Sequence, residues 1–283
     1  MNLLQRVAYL KNMLGDLRFK VTCLVLALSF AVALMIAANE GELRIFFQNT
    51  TLVATSAVAF ALSVVVISLS FTAYRKTFFM LLVGLGLWFT AEITWMYYVQ
   101  FMKVEVPFPS LADLFYLSGY VFVGIFLMQI GSRISSANKK NMLVTSAISI
   151  SIVATIINFF IFDIVQESFS VTSLSLERMV LLSFSVAYPI LDALLLIPSM
   201  IILYESRTRR TEYLSWIMLS LAMLLLGIGD TGFGYAALKN IESLSEDYVW
   251  DIIFNFSYIF IIGSLVYELV RSRQQIVMMP QKQ

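Results

Sequence analysis

The sequence predicts an all-α, polytopic membrane protein with eight transmembrane helices arranged as two parallel four-helix repeats. Three observations predict it: an apolar composition, eight apolar runs of spanning length, and a strict alternation of basic residues between the two sides. Hydrophobic residues are 60% of the 283-residue chain and charged residues 13%, against roughly 45–50% and about 25% in soluble domains. Mean hydropathy is +0.85. A soluble fold of this size has too much surface to hide that many apolar side chains. A net charge of +1 gives no whole-molecule attraction to phosphate, which argues against a nucleic-acid partner. The chain has no histidine and one cysteine, Cys23. That excludes a histidine-held haem, an imidazole zinc or copper site, a histidine general base and an internal disulfide. No nucleophile–base pair or metal-ligand cluster is legible either, so the expectation is a protein that is not an enzyme and carries no cofactor. A metal held by carboxylates alone is left open.

Residues 1–18 place Leu3, Val7, Leu10 and Leu14 on one helical face, with Arg6, Lys11 and Arg18 elsewhere. This reads as a short helix lying on the cytoplasmic membrane surface. No small-residue cleavage site ends the apolar run that follows, so a removed signal peptide is not expected. A span needs about 20 mostly apolar residues. Eight runs qualify: 20–38, 52–73, 77–101, 112–131, 141–163, 177–204, 213–237 and 248–271. Residues 19–131 then form a first four-helix repeat, 141–271 a second, and 272–283 a short tail. No soluble domain is inserted. Asn49-Thr50-Thr51 is a glycosylation sequon in what reads as the first outer loop. Asn255-Phe256-Ser257 also matches but falls inside the last span.

Basic residues fix the orientation. The amino end, the even-numbered loops and the tail carry Arg6, Lys11, Arg18, Lys20, Arg75, Lys76, Arg133, Lys139, Lys140, Arg207, Arg209, Arg210, Arg271, Arg273 and Lys282. The odd-numbered loops carry only Arg44, Lys103, Arg178 and Lys239. This split of 15 to 4 predicts eight spans in a cell membrane with both termini cytoplasmic.

A shift of 138 positions lays Glu92 on Asp230, Trp95 on Phe233, Tyr97 on Tyr235, Asp113 on Asp251 and Tyr120 on Tyr258. Spans three and four thus correspond to spans seven and eight. Two units with an even number of spans each must point the same way, which predicts a pseudo-two-fold axis along the membrane normal. The repeat is imperfect: span six carries Tyr188-Pro189-Ile190-Leu191-Asp192, and span two has no matching acid.

A carboxylate within a span costs roughly 2.5–3.5 kcal/mol at the bilayer centre. Glu92, Asp192 and Asp230 lie inside spans, and Asp113 and Asp251 at the outer starts of spans four and eight. No lysine, arginine or histidine lies in the interior of a span, away from its ends, to pair with them. Three states are open to them: protonated, because desolvation disfavours a charged carboxyl; hydrogen-bonded to tyrosine, tryptophan, serine or threonine; or facing a hydrated cavity and a cation. The plain alternative is helix–helix adhesion by polar side chains. For Asp113 a second plain reading exists, since Ser110-Leu111-Ala112-Asp113 spells a capping box. Tyr248 stands at the serine position before Asp251 and cannot cap. Aromatics accompany the acids: Trp95, Tyr97, Tyr98, Tyr116, Tyr120, Tyr188, Phe233, Tyr235, Trp250 and Tyr258. Tyr98 and Trp250 suit the interfacial belt. Tyr120 and Tyr258 lie two turns inside and call for a polar partner. Aromatics beside carboxylates suit a cation or an amine, which makes Glu92, Asp113, Asp192, Asp230, Asp251, Tyr97, Tyr120, Tyr188, Tyr235 and Tyr258 the candidate binding residues. Gly227-x-Gly229-x-x-Gly232 matches a dinucleotide fingerprint only as text, because that motif follows a strand. Within a span these glycines and Gly234 let a neighbouring helix approach Asp230. Pro189 and Pro198 are expected to kink span six near Asp192.

Two stretches carry a resemblance. One is Trp95-Met96-Tyr97-Tyr98, then Pro107-Phe108-Pro109-Ser110-Leu111-Ala112-Asp113-Leu114-Phe115-Tyr116-Leu117, then Gly119-Tyr120. The other is Tyr188-Pro189-Ile190-Leu191-Asp192, followed by Gly229-Asp230 and Asp251. Over residues 80–270 this pattern resembles the multi-helix membrane sensory domain found ahead of GGDEF diguanylate cyclases and histidine kinases in prokaryotes. The resemblance implies a sensory module. The chain departs from that family in ending at Gln283 without a cyclase or kinase, so a separate membrane or cytoplasmic signalling partner is expected. The leading expectation is a sensory or ligand-binding membrane module with an outward-facing acidic–aromatic pocket, span eight carrying the signal inward through Glu268, Arg271 and Arg273. A proton- or cation-coupled secondary transporter is the rival, and an accessory subunit of a larger membrane complex the third reading. Besides the bilayer, homo- or hetero-oligomeric partners are left open.

Overall fold

The protein, as a computed structural model, is described over residues 3–69, 72–134, 176–206, 214–238 and 248–278, with isolated positions between 147 and 155. The side chains of residues 3–15, 72–74, 176–178, 181–182, 235–238 and 273–278 lie outside the described set. Seven α-helices account for almost all of it: α1 (Leu3–Ala37), α2 (Gly41–Leu69), α3 (Thr72–Met96), α4 (Leu111–Ile134), α5 (Leu176–Ser206), α6 (Leu214–Leu238) and α7 (Val249–Met278). Each is long and apolar enough to cross a membrane. This is the structure an apolar chain must take in lipid, where every backbone N–H and C=O has to find its partner within the segment. The chain is a multi-pass, all-helical membrane protein. Among the described residues the spans number seven rather than eight; the span expected at 141–163 lies outside them.

Two boundaries differ from the sequence expectation. No proline interrupts residues 3–37, and α1 runs unbroken from Leu3, so the amphipathic start and the first span share one helix. Helix α2 begins at Gly41 rather than near 52. The polar run 48–51 looks like a loop but bonds within the helix: Asn49 donates to the Ile45 carbonyl at 2.8 Å and Thr51 to the Phe47 carbonyl at 2.7 Å. Asn49 is therefore buried in a helix and not a loop sequon. Between α1 and α2 the chain turns at Gly41, whose φ of 56° is open to glycine without strain. Arg44 closes the turn by donating from Nε to the Asn39 carbonyl at 2.6 Å, and its guanidinium lies 4.4 Å from the Tyr248 ring centroid. After α3 a π-helical turn spans Tyr97–Met102 and ends at Lys103 in the left-handed region. Pro107 and Pro109 keep the following segment out of helix.

Helices α2, α3, α4, α5, α6 and α7 pack each on the next, and α7 packs back on α2 to close the circuit. Helix α1 lies outside it, against α7. The interior has two layers. Phe78, Phe126 and Trp216 form an aromatic layer, with ring centroids 5.7 to 6.2 Å apart. Ten residues further along α3, about 15 Å at 1.5 Å per residue, Trp88 begins a polar layer that holds the acids. Pro189 and Pro198 both lie inside α5, which continues through them.

Candidate functional site

Trp88 is the centre of the polar layer. Its ring is almost wholly buried, and its Nε1 donates to the Tyr116 carbonyl at 3.2 Å. Tyr120 and Tyr258 stand edge-on to it at centroid distances of 5.5 and 6.4 Å. These two tyrosines leave in opposite directions. The Tyr258 hydroxyl, from α7, donates to Glu92 Oε1 on α3 at 2.8 Å. The Tyr120 hydroxyl, from α4, donates to Asp230 Oδ2 on α6. Tyr116 adds its hydroxyl beside Glu92. Asp192 of α5 lies within hydrogen-bonding range of Asp230 and close to Tyr120. It is 6% exposed, and its Oδ1 has no hydrogen-bond partner.

The polar layer continues toward the helix starts. Asp113 is buried and closes the capping box: it accepts from the Ser110 N–H at 2.6 Å and the Ser110 hydroxyl at 2.7 Å. It also accepts from Tyr188 of α5 at 2.6 Å. The Tyr188 ring is perpendicular to Tyr120 at 6.3 Å. Asp251 accepts from Gln48 Nε2 of α2 at 2.7 Å. One turn on, Asn255 donates to Thr51 and accepts from Thr55, both at 3.1 Å.

The structure therefore brings Glu92, Asp113, Asp192, Asp230, Asp251, Tyr120, Tyr188 and Tyr258 into one connected polar layer, each acid facing protein. It leaves Tyr97 out. At about 100° per residue Tyr97 lies about 140° around α3 from Glu92, and its ring is 53% exposed and stacked on Phe101 at 6.0 Å. The Tyr235 side chain lies outside the described residues. The expected cavity also takes a different form. The acids are packed and hydrogen-bonded, while a groove of about 450 Å³ opens between α4 and α5, lined by apolar residues such as Met128, Ile190, Leu194 and Ile201, with none of the five acids on its wall.

The glycines act as the sequence suggested. Gly232 lies under the Trp250 ring, where any Cβ would collide, and a Cβ on Gly229 would fall 2.6 Å from the Phe254 ring, too close to be accommodated without a shift. Trp250 is thus a helix-packing residue of α7 against α6. Trp88, Gln48 and Asn255 were not singled out as site residues. Trp88 had a usable signal, since it precedes Glu92 by four positions and so shares its helical face. Gln48 and Asn255 had none, because both read as loop or silent sequon. Among the described residues no three or more cysteine or acidic side chains converge as a metal site. No family model, no curated protein and no solved structure matches the chain.

Proposed function

We propose that this protein is a non-enzymatic sensory or ligand-binding membrane module made of two four-helix halves of like orientation, with the carboxyl–tyrosine layer as both binding site and latch between them. The carrying observation is reciprocity. Tyr120 donates to Asp230, while Tyr258, its counterpart 138 residues on, donates to Glu92, the counterpart of Asp230. Units related by a two-fold axis exchange contacts in this manner. Helix neighbours support the same reading: α2–α3, α3–α4 and α4–α5 correspond to α5–α6, α6–α7 and α7–α2. Because every bond in the exchange crosses between halves, a ligand that competes for an acid or a tyrosine shifts one half against the other. Such a differential contact is what a two-state switch requires.

In this reading both termini are cytoplasmic, as the 15-to-4 basic asymmetry implies, and a terminal tag is inaccessible in intact cells. Helix α7 carries the signal inward: Glu268, buried on it, accepts from Ser215 of α6 at 3.1 Å and lies 3.9 Å from Arg271. A signalling output module receives it, as the resemblance to sensory domains of cyclases and kinases implies. Proton- or cation-coupled transport is the second reading, favoured by the unpartnered oxygen of Asp192 beside Asp230.

The test uses the full chain in lipid nanodiscs, with sodium, potassium, ethanolamine and choline salts and with pH as probes. One of these is expected to raise or lower the melting temperature of the wild type but not of Asp230→Asn, with equal expression. A response unchanged in Asp230→Asn sinks the binding site. Tracer flux of the active probe into proteoliposomes replaces sensing by transport.

A further inference from the structure

Asp192 and Asp230 are a pair that charge alone cannot hold together. Facing them are Tyr188 on α5, Tyr120 on α4, Glu92 on α3 and Tyr258 on α7, and beyond these, against Tyr188 or Glu92, come Asp113, Tyr116 and Asp251. No lysine or arginine is among these. Two ionised carboxylates in hydrogen-bonding range repel strongly where the dielectric is low. Two carboxyls also cannot hydrogen-bond to each other unless a proton lies between them.

We propose that Asp192 and Asp230 share one proton, making the α5–α6 seam beneath Tyr120 a buried proton-binding site. Three observations point the same way. Asp192 is nine-tenths buried with Oδ1 unpartnered; an unpartnered neutral carbonyl oxygen is far cheaper to bury than an unpartnered charged one. Tyr120 donates to Asp230 Oδ2, which leaves Asp230 as the acceptor and Asp192 as the proton's home. Gly227 of α6 faces Leu196 of α5, where a Cβ would lie 2.9 Å from that side chain, and so close a seam favours the smallest cation over an amine. The proposal rests on the reading of the acid layer as the binding site and names its ligand. Release of the proton puts two adjoining negative charges between α5 and α6 and pushes those helices apart.

The test is the melting temperature of the full chain in nanodiscs across pH. The folded pair keeps a proton that the unfolded chain gives up, so stability present at low pH is lost as pH rises. Asp192→Asn puts an amide N–H where the proton was. The expected result is loss of the wild-type slope in Asp192→Asn and in Asp230→Asn, with no further loss in the double variant. The slope surviving in both single variants overturns the proposal. So does a rise in the wild-type melting temperature when sodium replaces choline at alkaline pH, which makes the site a sodium site. Infrared difference spectra of the wild type need no variant: a protonated-carboxyl carbonyl band is expected to disappear on alkalinisation, and its absence overturns the shared proton. If the pH slope is lost in the variants but their response to the sodium, potassium, ethanolamine or choline salts is not, the proton stands and the sensory reading falls; the reverse pattern does the opposite.

Discussion

The two acid centres flanking Trp88 are counterparts in sequence but differ in chemistry. Glu92 is met by two phenols, Tyr258 and Tyr116. Asp230 is met by one phenol, Tyr120, and by a second carboxyl, Asp192. The difference traces to two positions. Tyr116 has Phe254 as its counterpart 138 residues on, which has no hydroxyl, and Asp192 has Ala54 138 residues earlier, which has no acid. One centre is saturated with donors; the other has surplus acceptor. In the proposed two-half reading, the reciprocal tyrosine bonds hold the halves in register and the centre at Asp230 is the specialised one.

The sharpest way to break this comparison is to neutralise each acid in turn. Asp230→Asn should abolish the response to the active probe, because it removes the charge that the surplus site uses. Glu92→Gln should keep at least half of it, because an amide oxygen still accepts from Tyr258. Probe-induced melting shifts in nanodiscs measure both. Equal losses make the two centres functionally alike and end the argument from specialisation.

The distinction was only half legible in the sequence. The membrane class, the approximate positions of seven spans and the acids themselves stood out, because a carboxylate in an apolar span has few economical locations. Which tyrosine meets which acid did not. Helical phase places Tyr120 and Tyr258 on inward faces but says nothing about the helix opposite, so the crossed exchange between halves emerges only from packing. Gln48 was hidden by its neighbours. Polar residues 48–51 read as loop, and only their bonds back to the helix at Ile45 and Phe47 show how α2 extends far enough to meet Asp251. Tyr97 misled because repeat position outweighed helical phase.

Removing the donors ranks the centres by stability. Hydrogen bonds between membrane helices contribute about 0.6 kcal/mol on average and up to about 1.7. Tyr120→Phe should fall near the upper value, since it strips Asp230 of its phenol and leaves two carboxyls facing each other. Tyr258→Phe should fall near the average, because it leaves Glu92 beside the Tyr116 phenol and not beside a second carboxyl. Unfolding of the purified variants in mixed micelles gives both numbers. A larger cost for Tyr258→Phe contradicts the assignment of surplus acceptor to Asp230.

The acids at the helix starts repeat the contrast in the same sense, and Asp251 should give the smallest effect of all. Here the first half has the saturated carboxyl: Asp113 takes the Ser110 N–H, the Ser110 hydroxyl and the Tyr188 hydroxyl. Asp251 takes Gln48. An asparagine has one acceptor oxygen and turns an NH₂ toward whatever faces the other side. At 113 that NH₂ meets donors, the capping box opens, and the cost should be that of a lost cap, about 1 kcal/mol. At 251 the amide oxygen can still accept from Gln48 and the NH₂ meets no described donor, so Asp251→Asn should change stability by no more than about 0.5 kcal/mol. Melting of the two variants side by side measures the gap. A cost at 251 equal to that at 113 means that the Asp251 charge itself is used, and it would extend the specialised site of the second half from Asp192 and Asp230 to the start of α7.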